Sequence, residues 1–311
     1  MQDVHTHFVP ADVVTWMKDN KQTVRAKWEK KDPQKEEFLV INDKWGFELK
    51  KEFIDPSLYL KKQAEAGVFH SLISPIPQLF LYDFQAEITA ELSTVYNNGL
   101  SEWMQKNEKE LSALAMVPLN DPEKAAAELK RSMDLGLRGA IVGPGCNGSM
   151  LTEDFFTPFW EEANRQKAII FLHPLLNEDP RLKKKKMPNL IGVPWETTVA
   201  ATDILLNRLL DQFPDVKILL AHGGGFLPYQ IGRLNQGYEK WGQVSESLTE
   251  PIDHYLKRFW YDTVLWNSET LNYLASVVGE DRVVPGSDFP FDLSVWPPHS
   301  LNEKGIESLF R

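Results

Sequence analysis

Apolar residues along the chain gather in short runs separated by longer stretches with helical spacing. Residues 168–173 (Ala-Ile-Ile-Phe-Leu-His) and 216–222 (Val-Lys-Ile-Leu-Leu-Ala-His) are near-continuous apolar runs, each ending in histidine. Runs of this kind, rather than alternating ones, suit strands covered on both faces of a parallel sheet. Val4, Thr6 and Phe8 favour a first strand at the start of the chain. Further strands are expected at 68–73, 113–119, 139–143, 259–264 and 282–287. Between them the spacing predicts helices at 56–66, 83–110, 121–136, 155–166, 197–213, 227–238 and 268–278, with a small final helix at 302–310. Asp121-Pro122 has the form of a helix cap followed by a first-turn proline. Strands and helices alternating eight times predict a closed parallel barrel, the (β/α)8 or TIM fold.

One stretch breaks the rhythm. After a short helix at 10–18, residues 21–55 are rich in Lys and Glu and punctuated by aromatic residues such as Trp28, Phe47 and Phe53. This is expected to be a small N-terminal insertion, including a hairpin, folded over the active-site face. The expectation is one domain, 1–311, because barrels of this length are common as single units.

Composition narrows the function. The chain is 42% hydrophobic and 25% charged, enough for a large core. Its net charge of −10 argues against a nucleic-acid partner, which needs a basic face. A small anionic substrate stays compatible, since a site is locally positive within an acidic protein when its own residues are. The single cysteine, Cys146, excludes an intrachain disulfide and a Cys-rich zinc site, and no basic or histidine neighbour activates it as a nucleophile. The first residues do not read as a secretory leader, and no apolar run is long enough for a bilayer. A cytoplasmic protein without a membrane partner is expected.

In such barrels the chemistry sits at the C-terminal ends of the strands. Those ends carry His5 and His7, two apart and therefore on one side of the first strand, then His173, His222 and Asp288. A single strand histidine is ordinarily a hydrogen-bonded core residue, as His70 is expected to be, and an aspartate after Gly286-Ser287 is ordinarily a turn cap. Five such groups at one face define a metal site. His and Asp donors suit Zn²⁺, with Mn²⁺ or Fe²⁺ as alternatives.

Asp3-Val4-His5-Thr6-His7, Phe171-Leu172-His173-Pro174, Ala221-His222-Gly223-Gly224-Gly225 with Pro228, and Gly286-Ser287-Asp288-Phe289-Pro290 together resemble the amidohydrolase superfamily. The stretch 191–198 (Ile-Gly-Val-Pro-Trp-Glu-Thr-Thr), with Gly232-Arg233, resembles more narrowly the branch that contains aminocarboxymuconate semialdehyde decarboxylase. The resemblance spans residues 4–292. It implies one metal ion on His5, His7, His173 and Asp288, and a metal-bound water with His222 as general acid/base. Dinuclear members carry a bridging lysine on the fourth strand, and residues 139–143 have none.

The reaction so implied is non-oxidative decarboxylation of a small unsaturated or aromatic carboxylic acid, in which Asp288 also serves as a catalytic group. A metal that acidifies water serves a hydrolase of a lactone, amide or C–C bond equally, and a metal- or ligand-binding barrel without turnover is the alternative outside catalysis. Arg233 matches a family arginine that reaches the neighbouring subunit's site, which implies a homodimer. A second family arginine, in the insertion, is missing here. Lys50 or Lys51 stands in for its charge but not for its bidentate fork, so a different substrate is implied. Trp195 and Phe291 are expected to wall the pocket. The run Lys183 to Lys186 is read as a solvated loop.

Overall fold

The strands expected from the apolar runs form and close on themselves. The computed structural model describes residues 1–311, the side chain of Trp45 excepted. In chain order the barrel strands are β1 (Gln2–His7), β2 (His70–Ser74), β3 (Leu111–Ala113, resumed at Ala115–Met116), β4 (Gly139–Val142), β5 (Ile169–Leu172), β6 (Lys217–Leu220), β7 (Trp260–Asp262) and β8 (Val283–Val284). Each pairs in parallel with the next. The seam between β8 and β1 is made by backbone bonds: Val4 N–H to Pro285 O at 2.8 Å, Asp288 N–H to His5 O at 2.7 Å, and His7 N–H to Phe289 O at 2.8 Å. The result is a (β/α)8 barrel with a helix after every strand.

The local causes match the sequence. Asp121 accepts from the backbone of Lys124 with Pro122 in the first turn, and Asn267 caps the helix Ser268–Val278 in the same way. The apolar runs of β4 and β5 are buried along their whole length, as strands sheathed on both faces must be.

Most boundaries move by one to four residues, the helix expected at 83–110 spanning Ala86–Lys106 and that at 227–238 spanning Ile231–Lys240, and three differ in a way the local structure explains. β3 begins two residues early and is interrupted at Leu114, whose N–H turns to Ile73 O. The helix expected at 197–213 is two, Val193–Leu206 and Leu209–Gln212. Pro194 suits its first turn, and Arg208, at φ +53°, ends it. The ladder of β8 is short because residues 285–288 leave it to form the turn that carries Asp288.

The insertion is a three-stranded antiparallel sheet, Lys27–Glu29, Phe38–Ile41 and Trp45–Glu48. Leu39, Ile41 and Phe47 are buried beneath it. Phe47 and Phe53 pack edge-on against Phe291, from the loop after β8. Lys44 reaches Asp83 at 3.1 Å and Glu178 at 2.9 Å, in the loops after β2 and β5. The insertion therefore lies over the C-terminal mouth of the barrel. No helix among the described residues is long and apolar enough to cross a membrane.

Candidate metal centre

β1 presents His5 and His7 into the mouth, β5 is followed at once by His173, β6 by Ala221-His222, and the turn after β8 by Asp288. All except His222 are buried. Ligand atoms of His5, His173, His222 and Asp288 lie within 4.8 Å of one another. His7 completes the group, its Nε2 3.1 Å from His5 Nε2 and 3.3 Å from Asp288 Oδ1.

The hydrogen bonds behind the rings fix which nitrogens face inward. His5 Nδ1–H donates to Asp262 at 2.6 Å, His7 Nδ1–H to Pro75 O at 3.0 Å, and His173 Nδ1–H to Pro174 O at 2.9 Å. With each Nδ1 committed as a donor, each Nε2 carries a lone pair towards the centre. His5 Nε2 and His7 Nε2 then stand 3.1 Å apart, close enough that a proton or a metal cation must lie between them. His173 Nε2 and Asp288 Oδ1 are likewise buried and lack a hydrogen-bond partner among the described residues, and groups of that kind are rare unless something else satisfies them. Inward-facing imidazole nitrogens and a carboxylate are a donor set that fits one divalent ion.

The electrostatics agree. Burial lowers the pKa of His7, and burial together with the neighbouring histidines lowers that of His173 well below the ordinary value, so both rings are neutral. Burial also works against a charge on His5, but Asp288 and Asp262 outweigh it and raise its pKa to about 10. A cation at the centre replaces that proton. Burial favours the acid form of Asp288, yet His5, His222 and His7 hold its pKa well below the carboxylate range. His222 differs from the other three: its Nδ1 has no partner among the described residues, and its Nε2 stands 3.7 Å from Asp288 Oδ2.

His222 sits at φ +54° and Asp288 at φ +64°. A left-handed residue with a side chain costs about 1–2 kcal/mol, so both turns hold their conformation through the contacts around them. The turn after His222 needs glycine. A Cβ on Gly225, at φ +65°, would lie 2.2 Å from Pro194 O.

The wall residues are placed unevenly. Phe291 meets His7 edge-on, ring centres 5.2 Å apart, and so borders the centre. Lys50, half-buried at the same mouth, is already engaged by Pro290 O at 3.0 Å and Asp292 at 2.7 Å. Lys51 points outward to Glu36 at 3.7 Å. Trp195 stacks beneath Arg181. Arg233 is exposed on the helix Ile231–Lys240 and forms no ion pair with the described residues. Lys183 to Lys186 are exposed. His70 bonds Lys109 O and Ser112 Oγ, as a structural histidine does. Asp262 was not among the residues singled out from sequence. An aspartate closing an apolar strand, 259–262, was the available signal.

A barrel with a His- and Asp-lined centre at its C-terminal mouth defines a class, and comparison with known proteins agrees. The family model described as Amidohydrolase matches residues 2–305, and the chain belongs to that family. It is 27% identical over 308 residues to the 2-amino-3-carboxymuconate-6-semialdehyde decarboxylase of Dictyostelium discoideum, covering 97% of this chain and 84% of the relative. It is 29% identical over 229 residues to the gamma-resorcylate decarboxylase of Rhodococcus jostii, covering 67% and 69%. In fold it matches the 5-carboxyvanillate decarboxylase of Novosphingobium aromaticivorans, crystallised with manganese and 4-hydroxy-3-methoxy-5-nitrobenzoic acid. There the TM-score is 0.79 at 18% identity, covering 94% of this chain and 86% of that one.

Proposed function

We propose that the chain, acting as one domain, is a metal-dependent decarboxylase of a small aromatic or unsaturated carboxylic acid. The observation that carries this is the set of imidazoles whose outer nitrogens are all committed as donors, beside one histidine that is not. In this reading His5, His7, His173 and Asp288 hold the ion, with Zn²⁺ the first choice for three nitrogens and one carboxylate and Mn²⁺ or Fe²⁺ the alternatives. Bound there, a divalent ion supplies Lewis acidity towards the oxygens of the substrate. The names of the relatives, decarboxylases of carboxylated muconate and phenolic acids, support the substrate class.

Loss of CO₂ breaks the bond to the carboxyl carbon, leaves its electron pair on the substrate carbon, and requires a proton there. His222 is the residue suited to bring it: its Nδ1 is not locked by a hydrogen bond to the described residues, and histidine is the commonest general acid–base side chain. Asp288 Oδ2, the oxygen that faces it, passes on or accepts that proton. Phe291, backed by Phe47 and Phe53, closes one side of the mouth and keeps water from the reacting carbon. Arg233, exposed and unpaired with the described residues, is free to meet the carboxylate of a substrate in a second subunit, and the active form in this reading is a homodimer. Lys50 supplies positive charge at the mouth only when Asp292 lets go of it.

The test is a screen of phenolic, benzoic and muconic acids for CO₂ release by ion-loaded protein, with His222→Ala as control. Release that falls at least about a hundredfold in the control is expected, the scale of general acid–base catalysis. Turnover of esters or lactones without CO₂ would replace the decarboxylase by a hydrolase. Light scattering on a size-exclusion column checks the dimer, and a monomer that is fully active removes Arg233 from the mechanism.

A further inference from the structure

Asp262, at the end of β7, is fully buried, and four N–H groups converge on its two oxygens. Oδ2 accepts from His5 Nδ1 at 2.6 Å and from the backbone of His222 at 2.9 Å. Oδ1 accepts from the backbone of Gly223 at 2.9 Å and of Val264 at 3.0 Å. His222 and Gly223 are both left-handed, at φ +54° and +62°. Successive N–H groups in such a turn point the same way and form a concave site for an anion. Here that anion is the Asp262 carboxylate. One oxygen therefore joins the ring of His5 to the turn that carries His222.

We propose that Asp262 is a positioning residue serving both halves of the centre. It holds His5 with Nε2 free for the ion, and it holds the left-handed turn that aims His222. A carboxylate behind a ligand histidine fixes its tautomer and makes it a better donor. The same carboxylate neutralises the anion-seeking turn, which without it would present two buried N–H groups to nothing. The packing leaves no slack: a Cβ on Gly286 would lie 2.8 Å from Asp262 Cβ and 2.9 Å from His5 Cβ. The part of the proposal that concerns His222 rests on the decarboxylase reading.

The test is Asp262→Asn, which keeps the shape but sets an NH₂ against two of the four arriving N–H groups. In chelator competition the variant is expected to bind Zn²⁺ or Mn²⁺ about 10–100-fold more weakly than wild type. Its Co²⁺-loaded form is expected to show a shifted visible absorption spectrum, and its CO₂ release at saturating ion to fall as well. A purely structural aspartate would lower the melting temperature and leave the ion affinity and the cobalt spectrum unchanged, and that result overturns the proposal. The wild-type arm reports on the decarboxylase reading separately. If wild type binds the ion but releases CO₂ from no acid, that reaction fails, while the affinity ratio and the spectrum still decide the role of Asp262. If wild type binds no ion, both fall. Should the variant not fold, ¹⁵N-histidine spectra of ion-loaded wild type decide instead: a proton on His5 Nδ1 is expected, and a proton on Nε2 overturns the proposal.

Discussion

Binding of a divalent ion should raise the thermal stability of the protein by an amount that its size sets. His173 Nε2 and Asp288 Oδ1 are buried without a hydrogen-bond partner among the described residues, and a buried polar atom left so costs about 1–3 kcal/mol. An ion that meets them binds the folded chain and not a preformed site in the unfolded one. At a free concentration of about 100 times its dissociation constant, it stabilises by about 2.7 kcal/mol. For 311 residues the unfolding entropy is about 0.65 kcal/mol/K, taking roughly 2.1 cal/mol/K per residue. The midpoint should therefore rise by about 4 °C, and by about 6 °C at a thousandfold excess. Scanning fluorimetry of chelator-dialysed protein titrated with Zn²⁺, and separately with Mn²⁺, measures the shift. His173→Ala should abolish most of it. Equal shifts in wild type and His173→Ala, or none in either, would refute the argument from the unpartnered atoms.

Gly286→Ala should cost about 1–3 kcal/mol through overpacking and weaken ion binding, because the added methyl meets both Asp262 and His5. Denaturant unfolding and chelator competition report the two effects, and wild-type values in both would contradict the packing. Burial pushes the Cys146 thiol up to about 12, which leaves on the order of a thousandfold less thiolate than an ordinary cysteine has at pH 8. Native protein should therefore react with a disulfide reagent far more slowly than denatured protein, where one thiol per chain appears. The native rate should still climb with each pH step above 8. Asp121→Ala, far from the centre in sequence, should remove a helix cap worth about 1 kcal/mol and leave ion affinity unchanged. Loss of affinity there would mean that metal binding reports global stability.

The parts of the centre that face the ligand were legible because they end apolar strands, and in a parallel barrel that position alone converts sequence into geometry. His173 and His222 could be read from the runs before them, and His5 with His7 from their spacing of two. Asp262 was not read. Its ring partner His5 lies 257 residues away in the chain, and nothing in Trp260-Tyr261-Asp262 separates a carboxylate that orients a histidine from one that ends a strand. The insertion was recognisable as a break in rhythm, but its register was not, since strands of three or four residues, one of them wholly apolar (Phe38–Ile41), have little alternation to fix it. Likewise the charge on Lys50 was plain, while its engagement by Asp292 depends on a loop more than 200 residues later.

The seam between β8 and β1 has a consequence for how the protein is made. Asp3 accepts from Ser287 N–H across 284 residues, and His5 O from Asp288. During synthesis the two histidines of β1 emerge about 280 residues before their carboxylate partner Asp288. Until then the early half of the centre is a pair of imidazoles on a strand whose edge towards β8 is unpaired. Contacts this distant form late, after the loop entropy between them has been overcome. With the proposed ligand set, full coordination of the ion requires a closed barrel, and chains arrested before β8 should bind metal poorly.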